Sequence, residues 1–466
     1  MQLGDIFEEL SLDVVTAGLE ITRVDSDSRV CEPGSLFFAL RGRVANGTTF
    51  ARDAVAHGAM CIVAGEPIDG LVVPVIVVPS SELQVLCTRA SATVTRHPER
   101  RAQLVGVTGT NGKTTVTVLI AELARVIGWN GSNIGTLTSE RTTPASPELF
   151  RALASRVEDF DYAREESVVA MEVSSHALDQ HRIDGVIFAV AAFTNLSHDH
   201  LDYHGTMEEY FAAKARLFTS AFARRAVIWT DDTFGTRLAT MVALPITRVT
   251  RGDAEEVMAS LRGTTYFWRG HVVNTPIVGD YNIDNALMAM SILSDLGAAD
   301  GDIAHAMSDV AAVPGRFEVV SDRPFTVIVD YAHTPAGLAR LLNDVRGLME
   351  GGRLITVFGC GGDRDRDKRP AMGAIASSTS DITIVTSDNP RSESPDAIID
   401  AIMTGVVAHA SVVRVTDRRS AITRAFELAV EGDVVVVAGK GHETTQIIGH
   451  QVLDFDDRAV ARELLK

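Results

Sequence analysis

The stretch Leu104-Val-Gly-Val-Thr-Gly-Thr-Asn-Gly-Lys-Thr-Thr115 runs directly into the apolar pattern Val116-Thr-Val-Leu-Ile-Ala-Glu-Leu-Ala124. A short β-type run, a glycine-rich turn and a helix opened by lysine and threonine follow one another. Proteins hold nucleotide phosphates in this order of elements. Gly109 and Gly112 let the backbone turn tightly and approach an anion. The free N–H groups and positive dipole end of the helix then face the phosphates. Lys113 adds a cation at the β/γ-phosphates, and the hydroxyl of Thr114 or Thr115 a ligand for Mg²⁺. The general G-x-x-x-x-G-K-[ST] pattern asks for glycine at 107, where this chain has Val107 and places the glycine at 109. The loop is therefore a variant. A glycine-rich turn with an incidental lysine is the plainer alternative, but the intact strand, loop and helix point to ATP or GTP with Mg²⁺.

Outward from this loop, a chain of 466 residues has room for two or three domains. Its net charge of -18, without a Lys/Arg-rich run, argues against general nucleic-acid binding. The four cysteines, Cys31, Cys61, Cys87 and Cys360, show no C-x-x-C spacing, which suggests a reduced compartment and no zinc site. The acidic start Met1-Gln-Leu-Gly-Asp-Ile-Phe-Glu-Glu lacks a signal-type apolar core. No uncharged apolar run reaches the roughly 18 residues of a membrane span. A cytoplasmic protein without membrane association is expected.

Residues 1–98 read as a first unit, with strands at Leu36–Leu40, Cys61–Ala64 and Leu71–Val78 and a helix over Ser81–Val94. The polar segment Arg96–Arg101 reads as a linker. A second unit, 99–318, adds strands Ser167–Val173, Val186–Phe193 and Ala226–Trp229 and a helix over Tyr281–Leu296. Near-continuous apolar strands separated by helices indicate a parallel sheet covered on both faces. The third unit, 319–466, resumes the alternation. Its strands fall at Thr326–Val329, Leu354–Phe358, Ile382–Val385 and Val434–Ala438, with helices over Pro335–Leu348 and Arg419–Val430. It has a dinucleotide-type α/β pattern without G-x-G-x-x-G, so no NAD is inferred.

The polar residues gather where apolar strands end. Glu172 closes a strand in the P-loop unit, the expected second anchor for Mg²⁺, although a solvated or capping glutamate would look the same. Asn195-Leu-Ser-His-Asp-His-Leu-Asp-Tyr-His204 is too polar for a core and suits metal or substrate. Lys214 falls on the apolar stripe Met207, Tyr210, Phe211, Leu217, Phe218 of a helix over Met207–Phe218. An ammonium there is costly unless neutralised, paired or chemically altered, and a surface lysine snorkelling past the stripe is the alternative. Three loops in the third unit follow strands: Gly359–Pro370, Ser387-Asp-Asn-Pro-Arg391 and Gly439-Lys-Gly-His-Glu443. Together they suggest one composite site, with Arg391 able to grip a carboxylate bidentately.

Thr108–Thr115, Glu172-Val-Ser-Ser-His176, Asn195–His204, Gly315-Arg-Phe-Glu318, Asp330-Tyr-Ala-His333 and Gly439–Glu443, in this order, resemble the Mur ligases. The resemblance implies an α/β protein of three domains: an N-terminal α/β UDP-binding domain, a central P-loop parallel-sheet ATPase domain and a C-terminal Rossmann-like domain. Asp388-Asn-Pro-Arg391 resembles the motif of members that add meso-diaminopimelate to UDP-N-acetylmuramoyl-L-alanyl-D-glutamate. L-Lysine as the added amino acid is the alternative, and a folylpolyglutamate synthetase or a non-enzymatic nucleotide switch are more distant ones. The implied chemistry is phosphorylation of the D-glutamate side chain by ATP, then attack by the amine on the acyl phosphate.

By resemblance Gly109, Thr110, Asn111, Gly112, Lys113, Thr114 and Thr115 hold ATP, together with Asn285 near adenine and Arg316 and Asp330 on phosphate and ribose. Lys113, Thr115, Glu172 and His200 carry the phosphates and two Mg²⁺ ions, with Lys214 as a carbamylated lysine binding the second. Ser28 and Arg29 belong to the uridine-nucleotide site, and Thr142, Thr143, Ser174, Gln180 and Arg182 to the muramoyl peptide. Arg364, Asp388, Asn389, Arg391, Gly439 and Glu443 match the diaminopimelate pocket. The expected partners are these small substrates alone, and the expected state is a monomer. Two departures stand out: Asn46 where relatives carry aspartate, and His198 at a position often arginine.

Overall fold

A computed structural model describes residues 1–42, 45–139, 141–164 and 166–466. The chain forms two compact units, Met1–Asp253 with Asn285–Ala306, and Ala254–Asp284 with Met307–Lys466. Both are mixed α/β with parallel sheets.

The first unit holds two sheets. In the smaller one, strands Arg23–Asp25, Ser35–Phe38, Ala59–Ala64 and Val75–Val77 pair in chain order, all parallel. Alternate residues face opposite cores. Leu36, Phe38, Cys61 and Val63 pack with Leu83, Leu86 and Ala90 of the helix Leu83–Val94, while Phe37 and Ile62 pack with Ala51 and Ala54. The apolar run from Leu71 is a strand only after Pro74, which has no N–H to give a ladder. The segment Arg96–Arg101 turns sharply, with Arg96 and His97 both left-handed before the short turn Pro98–Arg100.

The larger sheet runs Ile246–Val249, Ala223–Trp229, Phe188–Phe193, Gln103–Thr108, Ser167–Glu172, Asn130–Ile134, again all parallel. The P-loop strand therefore lies inside it, between the strands that lead to Glu172 and to Asn195. The helix Lys113–Val126 buries Val116, Leu119, Ile120 and Leu123, the spacing of one helical face. The edge strand Asn130–Ile134 is too polar to be read from its pattern. A Cβ on Gly131 would come within 2.1 Å of the Ala121 carbonyl, so the missing side chain lets that helix lie on the strand.

The second unit opens with an antiparallel meander, Glu255–Ser260, Gly263–Trp268 and His271–Thr275, which the sequence reading had not anticipated. Its main sheet runs Glu318–Ser321, Thr326–Asp330, Val434–Ala438, Leu354–Phe358, Ile382–Val385, Val412–Arg414, parallel except for the antiparallel first strand. Val434 and Val436 face a core with the helix Pro335–Leu348, and Val435 and Val437 face one with the helix Arg418–Leu428. Among the described residues no helix is long and apolar enough to cross a membrane.

One ion pair fixes the carboxyl ends of these strands. Arg418, fully buried, bonds both oxygens of fully buried Asp457 at 2.8 Å and donates to the carbonyls of Ser387 (3.2 Å) and Ala438 (3.0 Å). Removing one partner strands a buried charge, which costs about 3–5 kcal/mol. Asp457→Ala is therefore expected to lower the calorimetric melting temperature of the second unit, whereas Glu427→Ala, in an exposed pair with Arg424, leaves it unchanged.

Candidate active site

The phosphate loop is stapled to the exit of its neighbouring strand. Thr110 N–H donates to the Asn195 carbonyl at 2.9 Å, Asn111 N–H to Asn195 Oδ1 at 3.0 Å, and Asn195 Nδ2 to the Asn111 carbonyl at 3.1 Å. Gly112 has φ +87, and a Cβ there would stand 2.3 Å from Asn285 Oδ1, which places Asn285 against the loop. Val107, by contrast, is an interior sheet residue that pairs with Glu172. The departure at 107 thus leaves the loop intact.

Two lysine amines meet at one carbonyl. Lys113 Nζ donates to the carbonyls of Gly109 (2.9 Å) and Thr110 (2.8 Å), and Lys214 Nζ donates to Gly109 at 2.8 Å. Lys214 is 1 % exposed and lies 4.6 Å from the Tyr210 ring centre. It is no surface lysine. Burial, then the nearby Lys113 charge, pushes its amine well below the usual lysine range, against a weaker pull from Asp199. The helix that carries it, Met207–Ala215, starts at a capping box of Thr206 and Glu209 and ends in the short turn Arg216–Phe218.

Glu172 is buried at the strand end, and its Oε1 accepts from Thr114 Oγ1 (3.0 Å) and Thr136 N–H (2.8 Å). Thr114, rather than Thr115, is the P-loop hydroxyl bonded to this carboxylate. An all-oxygen pair of carboxylate and hydroxyl beside a phosphate loop fits Mg²⁺, which takes much of its shell from phosphates and water. Among the described residues no group of three His, Cys, Asp or Glu side chains is arranged to hold an ion by itself. The histidines instead pack edge to face, with the ring of His176 5.1 Å from that of His200 and 5.6 Å from that of His204. His200 is left-handed (φ +55) and begins the turn Leu201–His204. His198 is exposed.

Four of the expected peptide-site residues form one chain of bonds. Thr143 Oγ1 donates to the Glu172 carbonyl (2.8 Å) and accepts from Ser174 N–H (2.9 Å). Arg182 reaches the Thr143 carbonyl (3.1 Å) and Gln180 Oε1 (2.6 Å). Thr142 lies beside them, its hydroxyl 3.3 Å from that of Thr136. Ser28 and Arg29 lie in the short turn Ser28–Val30 between two strands of the small sheet, where Ser28 Oγ donates to Asp53 (2.9 Å) and Arg29 is exposed beside Asp27. Asn46 caps the turn Gly47–Phe50 and donates to Glu66 (3.2 Å).

In the second unit the three polar loops converge. Asn389 Nδ2 donates to Glu443 Oε2 (2.8 Å), a Cβ on Gly439 would come within 2.7 Å of Asp388 Oδ2, and Arg391 Nη1 donates to the Gly362 carbonyl (2.8 Å). Arg364 is exposed on the first of these loops. Arg391 has φ +51, a left-handed conformation costing roughly 1–2 kcal/mol for a non-glycine residue. Sequence reading missed the groups that hold this arrangement. Lys440, fully buried, bonds Glu443 Oε2 at 2.8 Å, and Glu393 receives both arms of Arg369. Buried Asp330 accepts from Phe317 N–H (2.7 Å), Ala332 N–H (2.7 Å) and Tyr281 (3.1 Å), and Arg316 lies 4.5 Å from the Tyr331 ring.

Residues 107–293 match the Mur ligase middle domain and residues 315–441 the Mur ligase glutamate ligase domain. A protein of Gloeobacter violaceus named UDP-N-acetylmuramoyl-L-alanyl-D-glutamate--2,6-diaminopimelate ligase is 43% identical over 489 residues, spanning 100% of this chain and 98% of its own. The chain belongs to the Mur ligase family. A protein of the same name from Geobacillus kaustophilus is 44% identical over 470 residues, 96% of this chain and 95% of its own. A solved structure bearing that name superposes with a TM-score of 0.69 at 30% identity, covering 100% of this chain and 98% of that one. The likeness to relatives thus includes the small N-terminal sheet as well as the two family domains.

The histidine cluster gives this Mur ligase an acid-sensitive seam. Burial, then the facing His200 and His204, pushes His176 down to about 4. The native ring stays neutral while the unfolded chain takes up a proton below about 6.5. Stability from this group is complete above pH 6.5 and is lost as pH falls towards 4. An NMR titration of the native protein is expected to place the His176 midpoint near 4, and a midpoint above 6 would contradict the packing described.

Proposed function

We propose that this Mur ligase couples ATP to amide-bond formation, adding meso-diaminopimelate to the D-glutamate side-chain carboxylate of UDP-N-acetylmuramoyl-L-alanyl-D-glutamate. The observation that carries the reading is the convergence of Asp388–Arg391 with Gly439–Glu443 in a chain whose P-loop abuts the Glu172–Thr143–Arg182 network. A substrate carboxylate attacks the γ-phosphorus of ATP, forming an acyl–O–P bond as the P–O bond to ADP breaks. The amine then attacks the acyl carbon, the C–N bond forms, and phosphate leaves as the nitrogen loses a proton. Bound Mg²⁺, expected as two ions, neutralises phosphate charge.

The chain's own groups do the positioning. Gly109, Thr110, Asn111, Gly112 and Lys113 cradle the phosphates, with Thr114 and Glu172 on the metal side and His200 beside them. Asn285 serves the adenine end, and Arg316 and Asp330 serve phosphate and ribose. Arg182, Gln180, Ser174, Thr143 and Thr142 hold the peptide, and Ser28 and Arg29 the uridine nucleotide. Arg391 and Arg364 take carboxylates of diaminopimelate, while Asp388, Asn389 and Glu443 take its ammonium end. The enzyme acts on these small substrates as a cytoplasmic monomer, with domains at 1–98, 99–318 and 319–466.

Lys214 becomes a carbamate in this scheme. A buried amine held below its usual range gives up its proton more readily, and its nitrogen lone pair can then attack CO₂, with release of one proton. The product exchanges a misplaced cation for an oxygen donor to the second Mg²⁺. Lys214→Ala is expected to lower turnover by about 10²–10³-fold, on the scale of losing one electrostatic stabiliser, with partial rescue by formate. Near-normal turnover without formate would refute the carbamate.

The reaction itself is tested by phosphate release from ATP with the UDP-muramoyl dipeptide. Turnover is expected with meso-diaminopimelate and not with L-lysine, and Arg391→Ala should raise KM for diaminopimelate about 10–100-fold, the worth of a charge-assisted hydrogen bond. Turnover with lysine alone would overturn the pocket assignment, and silence with both would overturn the ligase reading.

A further inference from the structure

The hairpin of strands Thr445–Ile448 and Gln451–Asp454 lies beyond residue 441, where the match to the family's domain ends. It touches the amino-acid loop residue by residue. Gln446 Nε2 donates to the Asp388 carbonyl (2.7 Å), and Ile447 N–H donates to Asn389 Oδ1 (3.0 Å). Arg391 N–H donates to the Ile447 carbonyl (3.1 Å), and Gly449 N–H donates to the Arg391 carbonyl (2.7 Å). Arg391 thus forms a parallel bridge with Ile448 as if the loop were a third strand.

We infer that this hairpin is the specificity brace for the incoming amino acid, with Gln446 and Gly449 as positioning residues for Arg391. The inference rests on the reading of Arg391 as the carboxylate grip. Arg391 holds a left-handed backbone that an arginine in a free loop would leave, and its Cα–Cβ direction, hence the aim of its guanidinium fork, follows from that backbone. The backbone bonds from Ile447 and Gly449 sit on either side of that residue and hold it there. Gln446 is 6 % exposed and spends its amide on the carbonyl of Asp388. Gly449 has φ +59 at the hairpin turn, which delivers its N–H to Arg391 without a Cβ penalty. Ile447 N–H also fixes the Asn389 amide, leaving the nitrogen end on Glu443.

The outer strand argues that the hairpin is there for the loop. Gln451, Val452, Leu453 and Asp454 are exposed at every position, so that strand covers no core. A bracing element of this kind acts on the geometry of one ligand's grip. It is expected to alter diaminopimelate binding and leave ATP binding alone.

The test compares steady-state kinetics of the full chain for Gln446→Met, which removes the donor at constant length, Gln446→Lys, which keeps an N–H donor, and Val452→Thr on the exposed strand. Gln446→Met should raise KM for meso-diaminopimelate about tenfold, the worth of one hydrogen bond, with KM for ATP and for the UDP-dipeptide and kcat unchanged. The preference for diaminopimelate over L-lysine should fall by a similar factor. Gln446→Lys should recover much of the KM, and Val452→Thr should match the parent. Gly449→Pro, which loses both the N–H and the positive φ, should show the larger effect if it folds. A parent-like KM in Gln446→Met, or equal rises for all three substrates, would overturn the brace. If Arg391→Ala leaves KM for diaminopimelate unchanged, the grip itself is refuted and the brace falls with it. A defect in Gln446→Met alone with an intact Arg391 effect supports the brace.

Discussion

The first unit is built around a shared carbonyl. Gly109 C=O receives both Lys113 and Lys214, so two amines share the same oxygen, and the Lys113 charge disfavours a proton on Lys214. The carbonyl thereby ties the start of the P-loop helix to the helix that carries Lys214. Neighbouring contacts hold that geometry. Asn195 staples the loop, the capping box at Thr206 fixes the start of the Lys214 helix, and the missing side chain of Gly112 admits Asn285.

Such an arrangement explains which parts of the molecule could be read from the sequence. Strands buried on both faces, such as Leu354–Phe358 and Val434–Ala438, are continuous apolar runs, and the alternation with helices dictates a parallel sheet. Their carboxyl ends must share an edge, so the gathering of the three C-terminal loops followed from topology. Periodicity put Lys214 on an apolar face, but a surface lysine snorkelling past the stripe fits the same pattern, and only its burial decides between them. Asn130–Ile134 was not legible, since its pairing depends on a glycine seated under a helix of the same unit. The meander of Glu255–Thr275 was hidden for a different reason. Its first strand is exposed throughout, so no buried face imprints an alternation on it.

Within the site, the sequence revealed which residue types were present but not which atoms were already engaged. Thr114 and Thr115 both offer a hydroxyl after Lys113, and the 3.0 Å bond to Glu172 shows that Thr114 is the one already engaged there. Glu443 looked like a ligand-facing carboxylate, yet one of its oxygens already serves Asn389 and Lys440. Lys440 itself sits between two glycines and gives no periodic signal that it is fully buried. Partners supplied from distant positions, as Glu393 is for Arg369, leave no mark on local spacing.

The two sheet edges carry opposite electrostatic designs. At the P-loop edge, half-buried Lys113 and buried Lys214 donate to the backbone carbonyls of Gly109 and Thr110. At the C-terminal edge, charges are paired among the chain's own side chains: Lys440 with Glu443, Arg369 with Glu393, Arg418 with Asp457. A ligand entering there meets a neutralised lattice from which single atoms project, the remaining oxygen of Glu443 and the free arm of Arg391. A zwitterion gains from such a lattice, because each of its charges finds one opposite group while the pairs behind remain unbroken. The difference in charge pairing thus sets the two edges apart, with amines held by backbone carbonyls at one and side-chain ion pairs at the other.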